Sequence, residues 1–196
     1  AQIRIAAAFT HDLLKIPRGL RYSPQHVWTY MDKSGNAEVG LDDFLAQLTG
    51  EIRFSLLKNE GEEIEKGGLL AVIEHQGRQL KVISPLSGKV LAVNPLTADN
   101  PTALQYDTYG KGWIYRIEPV NWNAETERYY TGEEAKGWFS AELKRLKDFM
   151  ATAAARYRGE GAPVILQEGG ELKGQPLSDL PPEMWQDFQR EFLDYH

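Results

Sequence analysis

The chain has 196 residues, 42% of them hydrophobic, and its 22 Lys and Arg against 28 Asp and Glu give a formal net charge of −6. This balance lacks the clustered cationic excess that a polyanion-binding surface needs, so nucleic acid is not an expected partner. The absence of cysteine excludes disulfides, thiolate metal sites and cysteine nucleophiles, and the hydrophobic fraction is enough for one domain of ordinary size with appendages.

In chain order, residues 1–20 read as an arm ending in "IPRGL", where Pro17 and Gly19 break any helix begun in the alanines. Its "IRIAAAF" run is too short for a signal core, and no apolar run approaches the roughly 20 residues that span a bilayer. A cytoplasmic protein without membrane insertion is expected. From 21 to 120 the sequence turns to short runs rich in Val, Ile, Leu, Tyr and Trp, punctuated by "DKSGN", "NEGEE", "KGG", "HQG", "PLSG" and "YGKG". That is the spacing of an all-β meander, and the β domain is placed at 21–130.

One helix interrupts the strands: "LDDFLAQLTGE" at 41–51 carries Phe44, Leu45 and Leu48 at helical spacing and stops at Gly50. A second, at 131–158, starts at a capping box of Thr131 with Glu134. Its apolar stripe runs through Trp138, Phe139, Leu143, Leu146, Phe149, Met150, Ala153 and Tyr157 to a stop at Gly159. The remaining 159–196 read as a tail, in which "PVILQEGGELKG" suggests a hairpin and "DLPPEMWQDFQREFLDY" a Pro-started helix with Met184, Trp185, Phe188 and Phe192 on one side. About 38 residues cannot bury such a face alone, so it must pack on the body, on a second copy or on another protein.

Five stretches combine specifically: "LRYSPQHVW" at 20–28, "AEVGLDDF" at 37–44, "NEGEEIEKGGLLAVIE" at 59–74, "SPLSGKVLAVN" at 84–94 and "YDTYGKGWIYRIEP" at 106–119. In order and spacing they resemble the glycine cleavage system H protein family, relatives of lipoyl domains, over roughly residues 20–150. The resemblance implies a mainly β, α+β protein: a lipoyl/biotinyl-type barrel-sandwich hybrid, or hammerhead, with a long C-terminal helix and a helical tail. It also implies a carrier of lipoic acid, amide-linked to one lysine at a hairpin tip, that is not itself a catalyst.

Aligned on that pattern, Gly67 and Glu74 stand at the family spacing, and the return strand closes with Ser84, Pro85, Ser87 and Gly88 as expected. The carrier position is Gly77, which has no amine to acylate. Lys81 lies four residues along the return strand, roughly 13 Å from the tip at about 3.3 Å per residue, and is a weak substitute. Arg78 is no acylation target and reads as an anion-contacting or solvent-facing residue. Glycine at the tip also has a plain conformational use, because it supplies positive φ in a tight turn.

Other chemistry is weakly represented. The four histidines, at 11, 26, 75 and 196, have no metal-ligand spacing. His26 lies in "HVW", where Val27 stands for the family's glutamate, and a structural role is expected of it. His75 reads as a polar turn residue, "EGEEIE" at 60–65 as a solvated face, and Trp113, Trp122 and Trp138 as core. No nucleophile motif, phosphate loop or paired-carboxylate signature is present. The sequence therefore predicts a non-lipoylated binding or scaffold module, not an enzyme, with no cofactor and no metal. Its partner would be another protein or a second subunit. The expected contacts are Glu74, His75, Gln76, Gly77 and Arg78 at the tip, and Trp185, Phe188 and Phe192 on an exposed tail face. The alternative is a lipoyl carrier of a glycine-cleavage-like system that uses Lys81, with lipoate as its cofactor.

Overall fold

The computed structural model describes residues 14–156, 172 and 174–195. His11, His196, Tyr157, Gly159, most of the expected arm and nearly all of the expected 163–174 hairpin lie outside these residues. Two antiparallel sheets form the body. The larger has six strands in the order β1-β2-β3-β9-β8-β5, and the smaller has three in the order β4-β6-β7. The larger joins β1 (Arg21–Tyr22), β2 (Val27–Met31), β3 (Ala37–Leu41), β5 (Glu63–Ile64), β8 (Gly88–Val93) and β9 (Trp113–Pro119). The smaller joins β4 (Arg53–Leu57), β6 (Leu69–His75) and β7 (Arg78–Ile83).

Local chemistry sets the turns. Between β2 and β3, the Asp32 carboxylate accepts from the backbone N–H groups of Ser34 and Asn36, at 2.8 and 3.1 Å, which folds the polar punctuation into a hairpin. Gly40 bulges against β9, and a Cβ there would stand 2.5 Å from the Gly112 carbonyl oxygen and 2.6 Å from the Trp28 indole nitrogen, so no larger residue fits. The first helix, α1 (Asp43–Leu48), is capped by Asp42, whose side chain accepts from Leu45 N–H at 2.9 Å. It buries Phe44, Leu45 and Leu48, the residues whose spacing predicts it.

Two short helices, α2 (Leu96–Asp99) and α3 (Pro101–Tyr106), and a third, α4 (Trp122–Thr126), lie within the 21–130 stretch that the sequence reads as a β domain. The long helix α5 (Gly132–Arg156) falls within the expected 131–158 span and buries Phe139, Leu143, Leu146, Phe149, Met150 and Ala153. In the tail, α6 (Pro182–Phe188) opens on proline as predicted and continues as a π-helical turn over Gln189–Leu193. One core cluster draws on both sheets and on α1, α5 and α6, with Trp113, Trp122 and Trp138 packed against its margin. The glutamates of 60–65 are solvent-exposed while Ile64 turns inward.

The tail face corrects an expectation. Trp185, Phe188 and Phe192 are 2%, 0% and 3% exposed within this chain, so they are not an exposed docking surface. The reason is that the body offers a matching apolar surface. Phe188 and Phe192 stack on each other at 4.6 Å and meet Phe149 of α5 edge-on at 6.0 and 5.8 Å, and Phe192 also faces Phe44 of α1 at 6.2 Å. Closing the tail onto that surface satisfies the face that 38-odd residues could not bury alone.

Candidate functional site

The hairpin of β6 and β7 reverses through two residues, Gln76 and Gly77, with His75 paired to Arg78. Gln76 has φ +50° and Gly77 φ +82°, the sign pattern of the type I′ turn that matches the twist of a two-residue hairpin. Gly77 stands at the outermost point, with no neighbouring heavy atom within 4 Å of where a Cβ would lie. The tip is therefore accessible, but what it presents is backbone and the exposed Gln76 side chain. Amide linkage to lipoate needs a primary amine, and neither Gln76 nor Gly77 supplies one, so the turn residues do not fit that group.

The flanking residues are all tied down. Glu74 accepts from Arg53 of β4 at 2.8 Å, a cross-strand pair in which the arginine side chain is 73% exposed. His75 Nδ1 lies 2.5 Å from the Glu51 carbonyl oxygen, and its ring runs parallel to the Trp185 indole at 6.3 Å. Arg78 donates to the Leu180 carbonyl oxygen at 2.5 Å and to Gln76 Oε1 at 2.9 Å, with its guanidinium 5.5 Å above Trp185. The expected anion-contacting or solvent-facing role of Arg78 is thus corrected, since one guanidinium nitrogen and its cationic plane are directed at the chain's own tail and a second nitrogen at Gln76 of the turn. Trp185 itself donates to the Leu177 carbonyl oxygen at 3.0 Å, which gives its buried N–H a partner.

Gly67, which the resemblance places in the frame of the tip, has φ +82° and sits against the Tyr195 ring. Lys81 stands opposite Val72 in mid-strand, its side chain exposed and both its backbone groups bonded to Gln189. The structure therefore brings Glu74, His75, Gln76, Gly77 and Arg78 together at one end and leaves Lys81 on the flank. Trp185 joins the tip from beneath, whereas Phe188 and Phe192 lie in the interior.

Away from the tip, His26 is fully buried between two carboxylates, Asp42 at 2.7 Å from Nδ1 and Glu142 at 2.7 Å from Nε2. Its ring is sandwiched by Phe44 at 4.2 Å and Trp138 at 4.7 Å. Burial alone would lower the imidazole pKa, but Asp42 and Glu142 more than offset it and hold His26 up at about 9. Burial opposes ionisation of Glu142, yet its bond to His26 and the nearby Arg145 keep it below the usual carboxylate range. This cation ties the β1–β2 turn to α1 and α5, in keeping with the structural role expected of it. Among the described residues, no group of three or more His, Cys, Asp or Glu is placed to hold a metal ion. No helix there is long and apolar enough to cross a membrane.

Residues 20–142 match the sequence model of the family described as Glycine cleavage H-protein. The chain belongs to that family. A glycine cleavage system H protein of Psychrobacter cryohalolentis is 33% identical over 119 residues, covering 61% of this chain and 94% of the relative. One from Coprothermobacter proteolyticus is 38% identical over 105 residues, or 54% of this chain and 83% of the relative. The crystal structure of the H protein from Mycobacterium marinum superposes with a TM-score of 0.55 at 26% identity, covering 63% of this chain and 98% of that one. The H-protein architecture predicted from the motifs is therefore present, and residues beyond 142 lie outside the family match.

Proposed function

We propose that this chain is a non-lipoylated binding or scaffold module on the H-protein fold, whose contact surface is the hairpin tip and whose partner is another protein or a second subunit. The observation that carries the reading is Gly77. At the family's attachment position stands a residue with no amine, in a turn whose positive φ suits glycine better than lysine. The frame around it is intact, with Glu74 paired and Gly67 in its positive-φ turn. A retained shape without the acylation target supports recognition of the tip by a protein in place of transfer of a group. In this reading the module acts in the cytoplasm, performs no catalysis and binds no cofactor.

The carrier alternative needs Lys81. Its exposed amine favours modification, but its position argues against it: the residue is in mid-strand on a covered edge, where an arm could not swing from a tip. Intact mass of the protein purified from its native host separates the two. The binding-module reading expects the unmodified mass, and a lipoyl increment contradicts it.

A further inference from the structure

We propose that residues 174–195 are an intramolecular clamp that shields the β7 flank of the former carrier hairpin from any protein that recognises a lipoyl-type tip. The inference rests on the binding-module reading only in treating that tip as the surface to be recognised.

The clamp engages the hairpin at three heights. At the top, one indole holds both residues that bracket the turn: His75 stacks parallel to Trp185, and Arg78 lies over it while donating to Leu180. Midway, the Gln189 side-chain amide accepts from Lys81 N–H at 2.7 Å and donates to Lys81 C=O at 3.0 Å. These are the two bonds that a residue of an added antiparallel strand would exchange with Lys81. At the base, the Tyr195 ring covers Gly67. An edge strand is a template for another strand, and here the side chain of Gln189 takes that place in cis.

The clamp is permanent and not a switch, because lifting it would uncover Met184, Trp185, Phe188, Phe192 and Leu193 together, none more than 3% exposed. A partner therefore meets the tip from the β4 side, where Arg53 and Leu56 are exposed. The clamp also lies wholly beyond the family match, so the added segment and the altered carrier position converge on the same hairpin.

The test uses full-length Gly77→Lys as a reporter of access, with a lipoate ligase, lipoate and ATP, and intact mass read over time. It is compared with Gly77→Lys/Trp185→Ala and Gly77→Lys/Gln189→Ala, each checked for folding by far-UV circular dichroism. The clamp predicts that loosening at either residue raises the initial rate, roughly fivefold or more for the loss of the two Gln189 bonds. Equal rates in all three proteins, or modification in none, overturns it. Trp185 is interior, so if that variant fails to fold the comparison stands on Gln189, whose contacts are at the edge. Hydrogen exchange gives a second reading. The Lys81 amide is expected to exchange roughly fivefold or more faster in Gln189→Ala than in the wild type, and unchanged exchange contradicts the clamp. Neither result depends on whether the wild-type chain is lipoylated in its host, so failure of the clamp and failure of the binding-module reading can be told apart.

Discussion

Gly77 and His26 both sit at positive φ, and the fold uses them in opposite ways. At Gly77 the conformation is low in cost and the surroundings are open, so a lysine there meets only backbone strain of about 1–2 kcal/mol. Gly77→Lys is therefore expected to fold with a melting temperature lower by a few degrees, measurable by calorimetry; loss of the cooperative transition would contradict the open turn. At His26, with φ +67°, the cost is borne because two carboxylates and two aromatic faces fix the ring. A pKa of about 9 in the fold against roughly 6.5 in the unfolded chain means that the folded state holds the proton more tightly. The stabilisation, on the order of 3 kcal/mol, is complete below pH about 6.5 and is lost as pH rises towards 9. Glu142, held low, acts with the opposite sign: its contribution is present above the ordinary carboxylate range and fades as acid protonates it. Melting temperature against pH should thus fall between 6.5 and 9 in the wild type, and Glu142→Gln should flatten that fall. An equally steep fall in the variant would remove Glu142 from the account.

Between elements, the decisive contact is that of α6 and the π-helical turn with β7 and α5. Truncating Trp185 opens a cavity and deletes its bond to Leu177, so Trp185→Ala should cost about 3–5 kcal/mol of stability and lower the melting temperature accordingly. An unchanged melting temperature would mean that the tail does not pack as described. The amphipathic pattern of Met184, Trp185, Phe188 and Phe192 was legible in the sequence, but its destination was not. A helix's own spacing says which face is apolar and nothing about whether the covering surface belongs to the same chain. The same limit applies to His26, whose partners Asp42 and Glu142 lie 16 and 116 positions away, beyond the reach of any local motif. Helices α5 and α1 were legible because their apolar stripes are local. Helices α2 and α3 were not, since they lie inside the stretch read as a β meander and Asn-Pro pairs at 94–95 and 100–101 carry turn chemistry, although Asn100 caps a helix by accepting from Ala103 N–H.

For the whole molecule, strand punctuation and motif order were enough to place the chain in the H-protein fold, and the hairpin turn at Gln76 and Gly77 falls where the polar tip was read. What the sequence could not show is that the hairpin carrying that glycine is held from one side by a segment the family match does not include. Three features meet at this hairpin: a turn without an amine, flanking residues bound to the chain itself, and a strand edge capped by Gln189. The most direct measurement of that central claim is intact mass of the wild-type chain and of Gly77→Lys, each co-expressed with a lipoate ligase in lipoate-supplemented cells. The wild type is expected at its unmodified mass and Gly77→Lys with a single lipoyl increment on residue 77. A lipoyl increment on the wild type, at Lys81 or any other lysine, would contradict it.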